Sequence, residues 1–111
     1  MTIADIASLL NAKYYCGEEM RDREILSGCA GDMMSDVLAF NKDHSVLLTG
    51  LLNPQVIRTA EMVDIYCIVF VRAKKPTEDM IKLANERSLT LMTTRHTMFS
   101  ACGILHKAGI D

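Results

Sequence analysis

Short apolar runs alternate with amphipathic ones along the chain, most sharply between Ser45 and Lys75. Ser45–Thr49 is apolar at strand length, and Tyr66–Val71 is a second such run. Between them, Asn53-Pro54 marks a helix start. The Asn oxygen accepts a free first-turn amide, and proline at the first helical position forfeits no hydrogen bond. Val56, Ile57, Ala60 and Val63 recur at helical spacing with Gln55, Arg58 and Glu61 opposite, so Pro54–Val63 predicts an amphipathic helix. Two buried strands joined by a crossover of this length lie parallel in one sheet, with the helix on a face.

The pattern extends both ways. Thr2 is placed to cap a short helix carrying Ile3, Ile6 and Leu10, and Ala12–Cys16 predicts a brief strand. A charged loop, Gly17–Arg23, precedes a strand over Glu24–Cys29. Gly28–Asp32 leads into a helix with Asp32 as N-cap and Met34, Val37 and Leu38 facing inward. Asn41–His44 is a polar turn. Beyond the central unit, Arg72–Lys75 is a loop and Pro76-Thr77 opens a helix with Met80, Leu83 and Ala84 inward. Glu78, Lys82 and Glu86 are spaced for surface ion pairs. Thr90–Thr93 is a last strand before a helix at Met98–Lys107.

That last helix is apolar around most of its circumference, which requires cover on two sides. The sheet supplies one side and a second subunit is expected on the other, through Met98, Phe99, Cys102 and Leu105. The expected architecture is one α/β layered domain over residues 1–111. It has a mainly parallel sheet of about four strands plus a short N-terminal strand, and helices on both faces.

Composition narrows the function classes. Half of the 111 residues are apolar and the net charge is −2, with no basic block and no aromatic interleaving, so no nucleic-acid footprint is present. Met1–Leu10 lacks a basic leader and no apolar run reaches membrane-spanning length, so no membrane association is expected and the expected location is cytoplasmic. Cys16, Cys29, Cys67 and Cys102 form no Cys-x-x-Cys pair and have no His at ligand spacing, which reads as reduced thiols and no metal site. Cys67, inside an apolar run, is a small hydrophobe, and the eight methionines are mostly core.

In open α/β sheets, ligands bind beyond the carboxyl ends of the strands, where helix N-termini offer unpaired amides to an anion. Here those ends bring forward Asp32, Thr49, Asn53, Arg72, Lys74, Thr94, Arg95 and Thr97 as candidate ligand-binding residues. The set suits a phosphorylated metabolite or a nucleotide. The competing structural explanation is that loops are polar and that Thr and Asn cap helices. His96 beside Arg95 has the makings of a base, but spacing pairs it with no Ser or Cys nucleophile, and no acid–base carboxylate pair is present. No catalytic residue and no cofactor are assigned. There is also no Gly-x-x-x-x-Gly-Lys phosphate loop.

Gly31-Asp32-Met33-Met34-Ser35-Asp36-Val37, Val46–Gly50, Pro76–Ala84 and Thr97–Gly103, in this order, resemble the DRTGG domain in its small stand-alone form, over almost the whole chain. That family is named for a Gly-Asp-Arg turn after one strand and a Thr-Gly-Gly turn after the next. Here those places read Gly50-Leu51-Leu52 and Val71-Arg72-Ala73, so only Gly50 of the signature remains. The missing Asp and Arg remove charged groups suited to reading a ligand. The resemblance implies a non-enzymatic regulatory or assembly module that pairs with itself. Similar domains accompany HPr kinase/phosphorylase, phosphate acetyltransferases and CBS-domain pyrophosphatases without being their catalytic part. For the stand-alone form, the resemblance also implies a metabolic or redox enzyme as partner.

Overall fold

A computed structural model describes all residues from Met1 to Asp111. Five strands form one sheet: β1 (Lys13–Cys16), β2 (Ser27–Ala30), β3 (Ser45–Thr49), β4 (Cys67–Phe70) and β5 (Thr90–Thr93). Their order is β1-β5-β4-β3-β2, with β2 to β5 parallel and β1 antiparallel to β5. Five α-helices accompany them: α1 (Ile3–Leu10), α2 (Met34–Phe40), α3 (Pro54–Met62), α4 (Glu78–Glu86) and α5 (Met98–Lys107). The expected α/β class, mainly parallel sheet and helices on both faces are all present.

Because neighbouring parallel strands are also consecutive in sequence, right-handed crossovers bring α2, α3 and α4 to one face. The other face takes the two terminal helices, α1 and α5, packed on each other. Two cores result. Ile3, Ile6, Leu10 and Leu105 meet Val46, Val69 and Met92 under α1 and α5, while Val56, Ile57, Met80 and Ala84 meet Leu47, Ile68 and Phe70 under the crossovers. Alternate residues of β3 and β4 thus feed opposite cores, and both strands are buried along their whole length, as their unbroken apolar runs require.

Local chemistry sets most boundaries. Thr2 and Asp5 form a reciprocal capping box on α1, Asn53 accepts the Gln55 amide at 2.8 Å, and Thr77 and Thr97 cap α4 and α5. Five details depart from the sequence-based expectation; one is the methionines, of which only Met80 and Met92 are fully buried while Met33 and Met62 are 64% and 70% exposed. The residue before α2 is Met33, without a side-chain cap, because Asp32 turns toward β3. Of the three inward residues expected on α2, only Val37 is fully buried, and Leu38 is 41% exposed because α2 is the outermost crossover helix. The spaced charges of α4 form no ion pair with one another; its neighbourhood instead contributes Arg87–Glu61 at 2.8 Å, tying the end of α4 to α3. Leu105 lies in the core, 2% exposed, since α5 turns that side onto the sheet. No helix is long and apolar enough to cross a membrane.

Candidate functional site

The carboxyl ends of β2 to β5 lie along one rim, and a chain of hydrogen bonds runs across it. Asp32 Oδ1 accepts the Gly50 amide at 2.7 Å and the Thr49 hydroxyl at 3.0 Å. Thr49 Oγ1 in turn accepts the Leu51 amide at 3.2 Å, and Lys74 Nζ donates to the Gly50 carbonyl at 2.7 Å. The Thr93 hydroxyl reaches the Lys74 carbonyl at 2.6 Å. Gly50 is buried between these groups: a Cβ there would stand 3.4 Å from Lys74 Nζ and 3.6 Å from both Asp32 carboxylate oxygens.

The turn after β4 is strained. Arg72 and Ala73 both take left-handed backbone, with φ of 55° and 57°, and the Lys74 amide closes the turn on the Val71 carbonyl at 3.2 Å. Non-glycine residues pay roughly 1–2 kcal/mol for this conformation. These are the positions where the resemblance places a Gly-Gly pair, which would occupy the same turn without that strain. The turn is held by the loop after β5: the Arg72 amide donates to the His96 carbonyl at 2.8 Å and the Ala73 amide to the Thr94 carbonyl at 2.7 Å.

The candidate residues therefore divide. Asp32, Thr49 and Lys74 converge, bonded to one another's loops. Arg72 and Arg95 are exposed on adjoining loops and make no ion pair. Asn53 and Thr97 serve as helix caps, and buried Thr94 donates its hydroxyl to the Leu10 carbonyl at 2.7 Å, joining β5 to α1. These three uses fit the structural explanation.

Two further features were not singled out in the sequence. Beside β1, a cavity of about 300 Å³ is lined by Asn11, Lys13, Tyr15, Lys75 and Arg95, among others. Its lining comes from three separated segments, so only the antiparallel pairing of Lys13 with Thr93 reveals it. At the opposite edge of the sheet, a groove of about 160 Å³ between β2 and α5 is lined by Cys29, Leu48, Cys102, Leu105, His106 and Ile110. Burial pushes the thiols of Cys29 and Cys102 up from the ordinary value, the opposite of what a nucleophile needs. Cys67, enclosed in the core, is pushed up to about 12.

No protein-family model matches the sequence, and no curated protein is significantly similar to it. A solved structure matches its fold: the CBS and DRTGG domains of the regulatory region of Clostridium perfringens pyrophosphatase, complexed with the activator diadenosine tetraphosphate. The TM-score is 0.73 at 17% identity, over 94% of this chain and 45% of that one. This chain thus spans less than half of the matched protein and shares its fold, in agreement with a DRTGG-like architecture.

Proposed function

We propose that this protein is a non-catalytic regulatory module that pairs with a second copy of itself through the edge of the sheet formed by β2. One observation carries the reading. Of nine large apolar side chains left exposed, five belong to the elements at this edge: Leu26 leading into β2, Met33 before α2, Leu38 and Phe40 on α2, and Phe99 on α5. Phe99 is 90% exposed and Phe40 75%. Apolar side chains around an edge strand that bonds no further strand favour association. β2 reads Ser-Gly-Cys-Ala without lysine or proline, and its outer side meets only the C-terminal residues, where the Gly28 amide donates to the Asp111 carbonyl at 3.0 Å. Met98 and Cys102 are half-buried beside this surface, whereas Leu105 fills the core and is not offered to a partner.

The match to part of a regulatory region supports this assignment, as does the resemblance to the stand-alone DRTGG form. A metabolic or redox enzyme in the cytoplasm is the further partner that the resemblance implies. Sedimentation velocity tests self-pairing: the protein is expected to run as a dimer and Phe40→Glu/Phe99→Glu as a folded monomer. A monomeric parent protein, or a dimer indifferent to both charges, contradicts the proposal.

A second reading, ligand sensing at the carboxyl ends of the strands, has an observation of its own. Arg72, Lys74, Lys75 and Arg95 all follow β4 or β5, and none is in either of the chain's two salt bridges, Lys42–Asp111 and Arg87–Glu61. Retention of a small molecule through purification, lost in Arg72→Ala/Arg95→Ala, would establish it. An unchanged melting temperature across nucleotides and acyl phosphates would remove it.

A further inference from the structure

The carboxyl rim has two corners of different character. At the β2–β3–β4 corner, Asp32 accepts from Thr49 and Gly50 while Lys74 donates to the Gly50 carbonyl, so these side chains are already committed to the protein's own groups. At the other corner, β1 runs antiparallel to β5 and brings Lys13 level with Thr93, beside the turns that carry Lys75 and Arg95. Three cations and no carboxylate line the 300 Å³ cavity there, in a chain whose net charge is −2. None of the three has a carboxylate within salt-bridge distance; Lys13 instead stands 5.2 Å from the centre of the Tyr15 ring.

The cavity also keeps donors in reserve. Thr93 and Thr94 spend their hydroxyls on backbone carbonyls, but the side chains of Asn11, Lys13, Tyr15, Lys75 and Arg95 make no hydrogen bond within the protein. Its wall is the strained turn: Ala73, left-handed at φ 57°, lines the cavity and is fastened by its amide to the Thr94 carbonyl. Two consecutive strained residues, held by hydrogen bonds, fix the loop bearing Lys75 against the loop bearing Arg95. Strain of this kind concentrates where geometry serves a ligand.

We infer that this corner, formed by Lys13, Tyr15, Lys75 and Arg95, binds the phosphate group of a small phosphorylated molecule. The inference rests on the ligand-sensing reading and narrows its site to the β1 end of the rim, where Lys75 and Arg95 meet Lys13 and Tyr15. Phosphate matches the lining better than carboxylate does. It carries nearly two negative charges and three acceptor oxygens, and the planar guanidinium of Arg95 is suited to two of them. A carboxylate would leave most of the positive charge uncompensated. The volume lies at the lower end of the range for small-molecule sites, which favours a compact ligand over a peptide.

The test is a backbone-amide NMR titration of the full chain with inorganic phosphate and with glycerol 3-phosphate at low ionic strength. Saturable shifts are expected at Asn11–Tyr15, Ala73–Lys75 and Thr93–Arg95, weakening as sodium chloride is added. Lys75→Gln/Arg95→Gln, whose altered side chains support no internal bond, is expected to keep the parent spectrum elsewhere and to weaken binding at least about tenfold. Saturable shifts centred on Asp32, Gly50 and Leu51 would overturn this location while keeping the sensor. Absence of saturable shifts would overturn both. Equal binding by the double variant, or tighter binding of a phosphoserine peptide than of glycerol 3-phosphate, would also overturn the assignment.

Discussion

The carboxylate of Asp32, in the loop after β2, accepts the backbone amide of Gly50, at the end of β3, at 2.7 Å. A side chain that sequence reasoning assigned to the N-terminus of α2 thus fastens two neighbouring strands at their carboxyl ends. Thr49 and Gly50 are both buried, and each loses a charged acceptor when the carboxylate is removed. Asp32→Ala is expected to cost about 1–3 kcal/mol. Urea denaturation reads this as a lower midpoint at unchanged slope.

Ala73 occupies left-handed backbone in the turn that joins the loops after β4 and β5. Ala73→Gly relieves the steric cost, partly offset by the greater freedom of glycine in the unfolded chain. The expected outcome is a net gain of about 0.5–1 kcal/mol, read as a higher melting temperature. A loss of stability would mean that the turn does not have this conformation.

Gly17 is the reverse case. It sits at φ 78° after β1, and a Cβ there would lie 2.6 Å from the Thr90 Cα and 2.7 Å from the Leu89 carbonyl oxygen. Both obstacles are backbone of the adjacent strand region, and the Gly17 carbonyl also accepts the Thr90 hydroxyl at 2.8 Å. Gly17→Ala is expected to destabilise by about 3 kcal/mol or more, combining backbone strain with overpacking. A melting temperature within experimental error of the parent would contradict the close packing of β1 on β5.

Cys67 gives stability a dependence on alkaline pH. Its thiol, fully buried, ionises at about 12 in the fold against 9.0 unperturbed. Burial favours the neutral thiol, so this contribution is intact below pH 9. Above it the unfolded chain releases the proton that the fold retains, and stability falls by up to about 1.4 kcal/mol per pH unit until pH 12. Cys67→Ala is expected to flatten that segment of the stability curve, although the lost volume lowers stability at neutral pH. Native alkylation at pH 8 is expected to spare Cys67 and to modify the half-buried Cys16, Cys29 and Cys102 slowly.

The strand–helix–strand unit was legible because strong local signals agreed. The apolar runs of β3 and β4 are buried on both faces, and Asn53-Pro54 starts α3 where capping chemistry places it. The boundaries of α5, Met98 and Lys107, were legible for the same reason. Which side of α5 meets the sheet was not, because an apolar residue reads alike whether it faces the core, as Leu105 does, or solvent, as Phe99 does. Asp32 was misread because a cap and a cross-strand acceptor require the same residue type at nearly the same place. The Lys13–Tyr15 corner was invisible because Lys13 and Arg95 come together only through an antiparallel strand at the far edge of the sheet.

The central claim is that two copies meet over the β2 edge, and the native mass spectrum of freshly purified protein tests it most directly. The account predicts a species at twice the 12.4 kDa chain mass, converted to single chains by Phe40→Glu/Phe99→Glu without loss of folded charge states. A spectrum of single chains at concentrations where dimers of this size ordinarily persist would contradict it, as would a dimer that survives both charges.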